Sequence, residues 1–280
     1  MISVFLLVRS FIAYFEQNER RPQNLDPIQL VTATDDKYAK PLGVMLKSLL
    51  ENKKSDLKIN IYIITSNLST HNEFNIRGIL KDYDIDPTFI KIDKGKYSNY
   101  KERDYISKET YYRLSIPELL DTNIVKVLYL DCDIIVKEDI TLLWKEDLEG
   151  FFVAGVKELP RISRYKKKKL SIPKRFGYFN SGVLLINLKK WREQNITNQI
   201  IDYMKNNSDK ISFPSQDPMN AILYDKWKKL NPKWNYRHNL RLSIEPAIIH
   251  YTGKNKPWNA SHPFKDEYEK YNRMVTWKTT

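Results

Sequence analysis

The chain has 280 residues, and its 41% hydrophobic content is enough for the core of one large α/β domain or two small ones. It has a net charge of +13 and a pI near 9.4, which suits nucleic acid, an anionic membrane surface or phosphorylated substrates as partners. The single cysteine, Cys132, excludes a disulfide framework and fits the cytoplasm, and without an apolar run of about 18 residues we expect no transmembrane helix.

The amino-terminal extension, residues 1–26, begins with an apolar segment interrupted by Arg9 and ends in a polar linker. The apolar part is too short to span a bilayer, and it lacks the basic start and small-residue cleavage site of a signal peptide. An amphipathic anchor and an ordinary first helix both remain open for it.

The next part of the chain alternates apolar and amphipathic segments. We predict strands at residues 27–33, 59–65 and 88–93, separated by helices at 41–50 and 70–82, with Thr70 as a helix N-cap. This βαβαβ order predicts a parallel sheet with right-handed crossovers. No glycine-rich dinucleotide fingerprint or P-loop follows any strand, which disfavours a Rossmann dehydrogenase and excludes a P-loop enzyme.

Residues 125–136 read VKVLYLDCDIIV and are predicted to form a strand that is buried on both faces. Because side chains alternate along a strand, Asp131 and Asp133 should point the same way at its carboxyl end, with Cys132 on the opposite, buried face. Two close carboxylates repel each other unless a cation lies between them, so this pair predicts a divalent metal or substrate site. Two further D-x-D pairs within residues 81–87 fit a solvated loop instead.

The second half of the chain continues the α/β pattern. Around residues 105–120 we predict a short helix whose Arg113 would meet either a phosphate or a nearby acid. The remaining predictions are a strand at 151–156, a basic loop at 157–175, a strand at 183–187, a long helix at 188–204, a helix beginning within 214–218 and a strand at 247–250.

His250 closes an apolar run, as Asp131 does, and is the informative histidine of the four in the chain. With Asp131 and Asp133 it would form a set of two carboxylates and one imidazole. Such a set suits Mn²⁺ better than Ca²⁺, and it does not match the four closed ligands of structural zinc.

The carboxyl-terminal tail, residues 259–280, interleaves lysines with aromatic residues. This pattern is typical of peripheral contact with an anionic membrane, although a solvated basic surface explains it equally well. No RNA-recognition, zinc-finger or helix-turn-helix signature is present, so we expect no nucleic-acid partner.

Several motifs in order resemble glycosyltransferase family 8, which includes bacterial lipopolysaccharide galactosyl- and glucosyltransferases and glycogenin. They are ATDDKY (33–38), YYRL with Arg113, VLYLDCDIIV, YFNSGVLLINLKKW (178–191), QDPMN (216–220) and HYTGKNKPW (250–258). Together they cover roughly residues 27–260.

The resemblance implies an α/β fold with a single Rossmann-like, GT-A type domain over residues 27–258 and a mixed, mostly parallel sheet. It also implies Mn²⁺, with Mg²⁺ as an alternative, and a UDP-hexose donor carrying galactose or glucose. The reaction would retain anomeric configuration and serve lipopolysaccharide or another surface polysaccharide or glycoconjugate, with a glycan or glycolipid as acceptor.

The resemblance further implies a role for individual residues. It places the metal on Asp131, Asp133 and His250, the uracil and ribose on Ala33, Asp35 and Tyr38, the donor sugar on Arg113, Asn180 and Gln216, and the diphosphate on Gly253 and Lys256. Glu158 falls near the acceptor side. The predicted catalytic residues are Asp131, Asp133 and Gln216, and the amide oxygen of Gln216 would stabilise an oxocarbenium-like centre.

Two positions depart from the family pattern, because Lys37 stands where relatives usually carry Asn and Ser215 where they usually carry Asp. Ser215 therefore leaves open a catalytically impaired UDP-sugar-binding protein. A nucleotidyltransferase is the other alternative, although residues 33–38 lack the glycine-rich basic loop that such an enzyme more often has.

Overall fold

The computed structural model describes residues 26–98, 100 and 108–279, and the statements below concern these residues. The expectations for the amino-terminal extension lie outside them, except for Asp26.

Nine strands build one large sheet and one small sheet. They are β1 (Ile28–Ala33), β2 (Ile59–Thr65), β3 (Thr88–Lys91), β4 (Lys126–Leu130), β5 (Ile134–Val136), β6 (Val153–Lys157), β7 (Phe179–Asn187), β8 (Trp227–Lys229) and β9 (Ile248–His250). The large sheet has seven strands in the order β3-β2-β1-β4-β7-β6-β8, and β5 pairs with β9. Strand β7 is antiparallel to both of its neighbours, and the other neighbouring pairs of the large sheet are parallel. The predicted α/β fold with a mixed, mostly parallel sheet is thus confirmed.

The helices pack on both faces of the large sheet. They are α1 (Ala39–Asn52), α2 (Thr70–Lys81), α3 (Glu109–Tyr112), α4 (Ile116–Leu119), α5 (Thr141–Trp144), α6 (Pro160–Lys169), α7 (Leu188–Glu193), α8 (Ile196–Asn206), α9 (Gln216–Leu223) and α10 (Lys265–Asn272). Along β4, Leu128 and Leu130 pack with the residues of α1 and α2, while Val127 and Tyr129 pack with those of α8. Burial on both faces explains the continuous apolar runs of the sequence.

The segment predicted as one strand at residues 125–136 is two strands in different sheets. The backbone N–H of Asp131 donates to the Gly182 carbonyl of β7 at 2.9 Å. Two residues later the Asp133 carbonyl accepts the Tyr251 N–H at 2.9 Å, and the chain then pairs with β9. The aspartates therefore lie where the chain leaves β7 of the large sheet and joins β9 of the small sheet.

Three other predictions of local structure were wrong. Ser69, rather than Thr70, caps α2, because its side chain accepts the Asn72 N–H at 3.3 Å. The long helix predicted at 188–204 is broken into α7 and α8 by Asn195, whose φ of 51° lies in the left-handed region. The predicted basic loop contains helix α6, which has a proline at its start and buries Ser163 and Lys166.

The carboxyl-terminal tail packs against α1. The Tyr271 hydroxyl accepts a hydrogen bond from Asn52 Nδ2 at 2.7 Å, and Tyr268 is buried beside it. Trp277 lies so close to Gly43 that a Cβ at that position would meet its ring at 2.8 Å. Tyr268 and Tyr271 are thus buried, whereas the Trp277 ring is half-buried. Within the described part of the chain, no helix is both long and apolar enough to cross a bilayer.

Candidate active site

A cavity of about 360 Å³ opens at one edge of the large sheet. Strands β1, β4 and β6 are parallel to one another, so their carboxyl ends meet at this edge together with the amino end of β7. Ligands of α/β sheets commonly bind at this position. Across the edge, the polar residues follow the strand order β1, β4, β7, β6.

Asp131 follows β4 and is held from two sides. Its Oδ1 accepts hydrogen bonds from Arg113 Nη2 at 2.8 Å and from the Tyr129 hydroxyl at 2.9 Å. Arg113 is buried, stacks over the Tyr129 ring and also donates to the carbonyls of Thr110 and Ser181. Of the two partners predicted for Arg113, the structure shows the acid.

Asp133 is paired with the lysine that the resemblance assigns to a diphosphate. Its Oδ2 accepts a hydrogen bond from Lys256 Nζ, and its Oδ1 lies 3.3 Å from His250 Nε2. Burial alone would raise the pKa of Asp133, but Lys256 and, when its ring carries a second proton, His250 outweigh this effect and hold the pKa well below the usual range. The carboxylate is therefore ionised and available to a cation.

Hydrogen bonds fix the orientation of the His250 ring. Asn180 Oδ1 accepts the backbone N–H of Gly182 at 3.0 Å and Asn235 Nδ2 at 2.8 Å. Asn235 must then turn its Oδ1 toward His250 Nδ1, which lies 2.9 Å away and donates to it. In the neutral imidazole, Nε2 consequently presents a lone pair to Asp131 and Asp133.

Asp131, Asp133 and His250, hereafter the carboxylate cluster, have the geometry of a metal site. One ligand atom from each lies within 4.8 Å of the others. Two carboxylate oxygens and an imidazole lone pair that face one another repel unless a cation separates them. The residues present thus fit a divalent ion such as Mn²⁺.

Gly182 makes the approach of these ligands possible. A Cβ on Gly182 would lie 2.1 Å from His250 Cε1 and 2.8 Å from Asp131 Oδ2. Any other residue in this position would displace a member of the carboxylate cluster.

The β1 end of the cavity holds most of the residues assigned to the nucleoside. Asp35 and Tyr38 line the cavity, and Asp35 Oδ1 accepts the Tyr38 backbone N–H at 2.8 Å. Burial raises the pKa of both side chains above its usual value. Ala33 does not line the cavity: it is buried in the core, where its carbonyl accepts the Cys132 S–H at 2.9 Å. Thr34, which the sequence analysis did not single out, lines the cavity beside Asp35.

Gly253 and Lys256 lie on the loop after β9 and line the cavity beside the carboxylate cluster. Gly253 has a φ of 87°, a backbone conformation that favours glycine. Lys256 is buried and already engaged with Asp133.

On the other side of the carboxylate cluster lie Asn180, Gln216 and Glu158, hereafter the amide cluster. Gln216 Oε1 accepts the Ser181 backbone N–H at 3.0 Å, and Glu158 Oε2 accepts Asn180 Nδ2 at 3.0 Å. Gln216 Nε2 lies 3.3 Å from Glu158 Oε2, so the three side chains form one connected network.

Below the amide cluster lies a buried ion pair that the sequence analysis missed. Asp217 Oδ2 accepts Lys166 Nζ at 2.8 Å, and Asp217 Oδ1 accepts the Tyr178 hydroxyl at 2.5 Å. The backbone N–H groups of Ser212 and Phe213 and the Ser212 hydroxyl also donate to Asp217 Oδ2. Only the position of Asp217 beside Gln216 in the QDPMN motif pointed to it.

Arg237 and Ser215 are two further features of this region. Arg237 lines the cavity near Glu158 and carried no recognisable sequence signal. Ser215 is fully buried outside the cavity lining, and its hydroxyl has no hydrogen-bond partner among the described residues.

Comparison with known proteins agrees with this geometry. The family model described as Glycosyl transferase family 8 matches residues 29–262. General stress protein A of Bacillus subtilis is 33% identical over 274 residues, covering 90% of this chain and 95% of that protein. A lipopolysaccharide 1,2-glucosyltransferase of Escherichia coli is 26% identical over 268 residues, covering 90% of this chain and 79% of that enzyme.

Among solved structures, a galactosyltransferase in complex with donor and acceptor sugar analogues superposes with a TM-score of 0.83 and 26% identity. The match covers 90% of this chain and 98% of that enzyme. The fold and the site thus define a glycosyltransferase. Since the family model spans most of the sequence, the chain belongs to glycosyl transferase family 8.

Proposed function

We propose that this glycosyltransferase moves galactose or glucose from a UDP-sugar to a glycan or glycolipid of the cell surface, with retention of anomeric configuration and with Mn²⁺ bound. The observation that carries the proposal is the carboxylate cluster, whose three ligand atoms converge in a cavity at the sheet edge. The polar groups on its two sides match the two ends of a nucleotide sugar.

The order of residues along the cavity supports the donor assignment. Asp35 and Tyr38 would bind the nucleoside at β1, the carboxylate cluster and Lys256 would face the diphosphate, and the amide cluster would face the sugar. Mn²⁺ or Mg²⁺ on the carboxylate cluster would supply Lewis-acid stabilisation of the departing UDP. Lys256 Nζ would turn from Asp133 to the phosphate oxygens as they gain negative charge.

Retention requires either a covalent glycosyl-enzyme or attack from the face of the leaving group. Glu158 is a carboxylate in contact with Gln216, but its Oε1 accepts the Leu159 N–H at 2.8 Å and its Oε2 accepts Asn180 Nδ2. These hydrogen bonds weaken it as a nucleophile. We therefore favour same-face attack: the acceptor oxygen bonds to the anomeric carbon, the bond to UDP breaks, and a phosphate oxygen takes the acceptor's proton.

Gln216 would assist this step without forming a bond to the sugar. Its amide oxygen accepts the Ser181 backbone N–H at 3.0 Å and the Ser181 hydroxyl at 3.3 Å. It would turn from the longer, hydroxyl bond toward the oxocarbenium-like centre. A sugar trapped covalently on Glu158 or Gln216 would overturn this mechanism.

The acceptor would belong to lipopolysaccharide or another surface glycan, as the name of the Escherichia coli relative suggests. Helix α6 begins one residue after Leu159 in the cavity wall, and it exposes Arg161, Arg164 and Lys168. This positive surface would favour peripheral contact with the anionic inner face of a membrane.

Donor hydrolysis tests the proposal. The purified protein is incubated with UDP-galactose, UDP-glucose or UDP-N-acetylglucosamine, with Mn²⁺ or with EDTA, and the released UDP is measured. Asp133→Asn removes a ligand of the carboxylate cluster. Asp84→Asn is the matched control, because Asp84 belongs to an exposed D-x-D pair and its positive φ is one that Asn tolerates.

We expect Mn²⁺-dependent turnover of UDP-galactose or UDP-glucose that Asp133→Asn abolishes and Asp84→Asn preserves. UDP binding that requires Mn²⁺, without turnover of any donor, would favour the impaired binding protein that Ser215 suggests, or an enzyme that needs its acceptor. Failure to bind UDP with or without Mn²⁺ would reject the proposed function.

A further inference from the structure

Arg237 is a buried cation in the cavity wall with unused hydrogen-bonding capacity. Its side chain is 1% exposed, and its Nη2 donates to the Lys157 carbonyl at 2.9 Å. Among the described residues, Nε and Nη1 have no hydrogen-bond partner. Buried guanidinium nitrogens are normally hydrogen-bonded, so the two unpaired nitrogens indicate that a ligand supplies their acceptor.

Glu158 does not supply acceptors for these two nitrogens of Arg237. Its Oε1 lies 3.5 Å from Arg237 Nη2 and already accepts the backbone N–H of Leu159, while its Oε2 is occupied by the amide cluster. In spite of Glu158, burial lowers the pKa of Arg237. The guanidinium therefore retains donors in a low-dielectric pocket, where an oxyanion would bind it strongly.

An anion bound at Arg237 would lie away from the proposed subsite for the donor diphosphate. Arg237 bonds to the end of β6, whereas Asp35 and Tyr38 lie at the end of β1, on the far side of β4 and β7. The proposed phosphate-binding groups, Lys256 and the carboxylate cluster, lie between the two ends. An anion at Arg237 would thus enter the cavity on the side of the acceptor.

We propose that Arg237 is a specificity-determining residue that binds an anionic substituent, a phosphate ester or a carboxylate, on the acceptor glycan. The inference rests on the proposed function and adds the chemical class of the acceptor. Helix α6 supports it, because its exposed Arg161, Arg164 and Lys168 follow the same wall and would attract a negatively charged acceptor.

The test measures the binding of acceptor fragments by titration calorimetry to protein saturated with UDP and Mn²⁺, so that the diphosphate subsite is filled. The probes are glycerol 3-phosphate, glucuronate and neutral glucose. Arg237→Met keeps the side-chain length and removes the charge, and Arg237→Lys keeps the charge without the guanidinium fork. Arg273→Met is the control, because Arg273 is exposed after α10 and outside the cavity lining.

We expect glycerol 3-phosphate or glucuronate to bind more tightly than glucose, and Arg237→Met to weaken the anionic probe by about tenfold or more. The affinity of Arg237→Lys for the anionic probe should lie between those of the wild type and Arg237→Met, and Arg273→Met should bind it like the wild type. The preferred probe distinguishes a phosphate ester from a carboxylate. UDP affinity should be equal in all variants, which shows that they are folded.

Equal binding of charged and neutral probes, or an anionic probe unaffected by Arg237→Met, would overturn the inference while Mn²⁺-dependent UDP binding left the proposed function standing. If the wild type bound no UDP, the proposed function would fail first and the acceptor assignment with it.

Discussion

The carboxylate cluster and the amide cluster lie side by side in the cavity, but they satisfy their polar atoms in different ways. The carboxylates of the first are paired with cations from distant parts of the chain, Arg113 and Lys256. Gln216 and Asn180 of the second accept backbone N–H groups, and both donate to the Glu158 carboxylate. In the first cluster, Asp133 would exchange Lys256 for a metal ion, and Lys256 would then be free to bind a phosphate, whereas the second cluster is a fixed frame.

The difference extends below the amide cluster to the ion pair of Asp217 and Lys166. Asp217 is fully buried, and it accepts two backbone N–H groups in addition to Lys166. Because α9 begins at Gln216, this pair holds the start of the helix that carries Gln216 into the cavity. The following substitutions test whether changes below the amide cluster lower stability, whereas changes in the carboxylate cluster alter the binding of metal and nucleotide.

The largest effect is expected at Asp217. Asp217→Asn leaves Lys166 as a buried charge without a carboxylate, which should lower the free energy of unfolding by about 3–5 kcal/mol. Urea unfolding measures it. Asp202→Asn is the matched control, because its pair with Lys205 is exposed and should contribute less than about 1 kcal/mol. Equal losses in the two variants would contradict a structural role for the buried pair.

Gly182→Ala should disturb the geometry of the carboxylate cluster and leave the amide cluster unchanged. The new Cβ would displace His250, so Mn²⁺-dependent UDP binding should weaken by about 10–100-fold, as for lost metal-site partners. Calorimetric titration with UDP and Mn²⁺ measures the loss. Gly78→Ala, in an open position on α2, should leave binding unchanged and stabilise the protein by about 0.5–1 kcal/mol. Unaltered Mn²⁺ binding in Gly182→Ala would show that the cluster is not the metal site.

Lys256→Met tests two roles of Lys256, which competes with a metal ion at Asp133 and would bind the phosphates of UDP. Without Lys256 as a competitor at Asp133, Mn²⁺ alone should bind about tenfold more tightly, while UDP should bind about tenfold more weakly for want of a phosphate partner. Metal and nucleotide titrations of the same variant give both values. Lys254→Met, exposed on the same loop, should change neither. Parallel loss of both affinities would mean that Lys256 only supports the loop.

The smallest effect concerns pH and His262, which packs beside Tyr251, the residue after His250 of the carboxylate cluster. Burial, His238 and Lys256 lower the pKa of His262 to about 4. As the pH falls, His262 is protonated in the unfolded chain near its ordinary pKa of about 6.5, but in the folded protein only near pH 4. The contribution of neutral His262 to stability is therefore complete above about pH 6.5 and is lost as the pH falls toward 4. Between pH 7.5 and 6 the free energy of unfolding should fall by roughly 1 kcal/mol.

His262→Gln should remove this part of the pH dependence, which denaturant titrations at several pH values would reveal. The same slope in the variant and the wild type would assign the effect to other groups.

Much of the fold could be predicted from the sequence, because local hydrophobic patterns report burial directly. Strands β1 and β2 are where the apolar runs of residues 27–33 and 59–65 placed them, and the exposed aspartates of residues 81–87 lie in a solvated turn. The ordered family motifs also selected residues that the structure brings together, including Asp131, Asp133 and His250. Side-chain chemistry and spacing carry this information without a fold.

Other features depend on contacts between distant segments. The apolar run through Asp131 changes sheets because β7 and β9 supply different backbone partners, and no local pattern records that exchange. The tautomer of His250 depends on Asn235 and Asn180, which are far from it in sequence. The buried partners of Asp217 and the unused donors of Arg237 likewise arise only in the folded chain. Composition and periodicity thus determined the elements and the candidate ligands, whereas their mutual charges and hydrogen bonds were decided by tertiary structure.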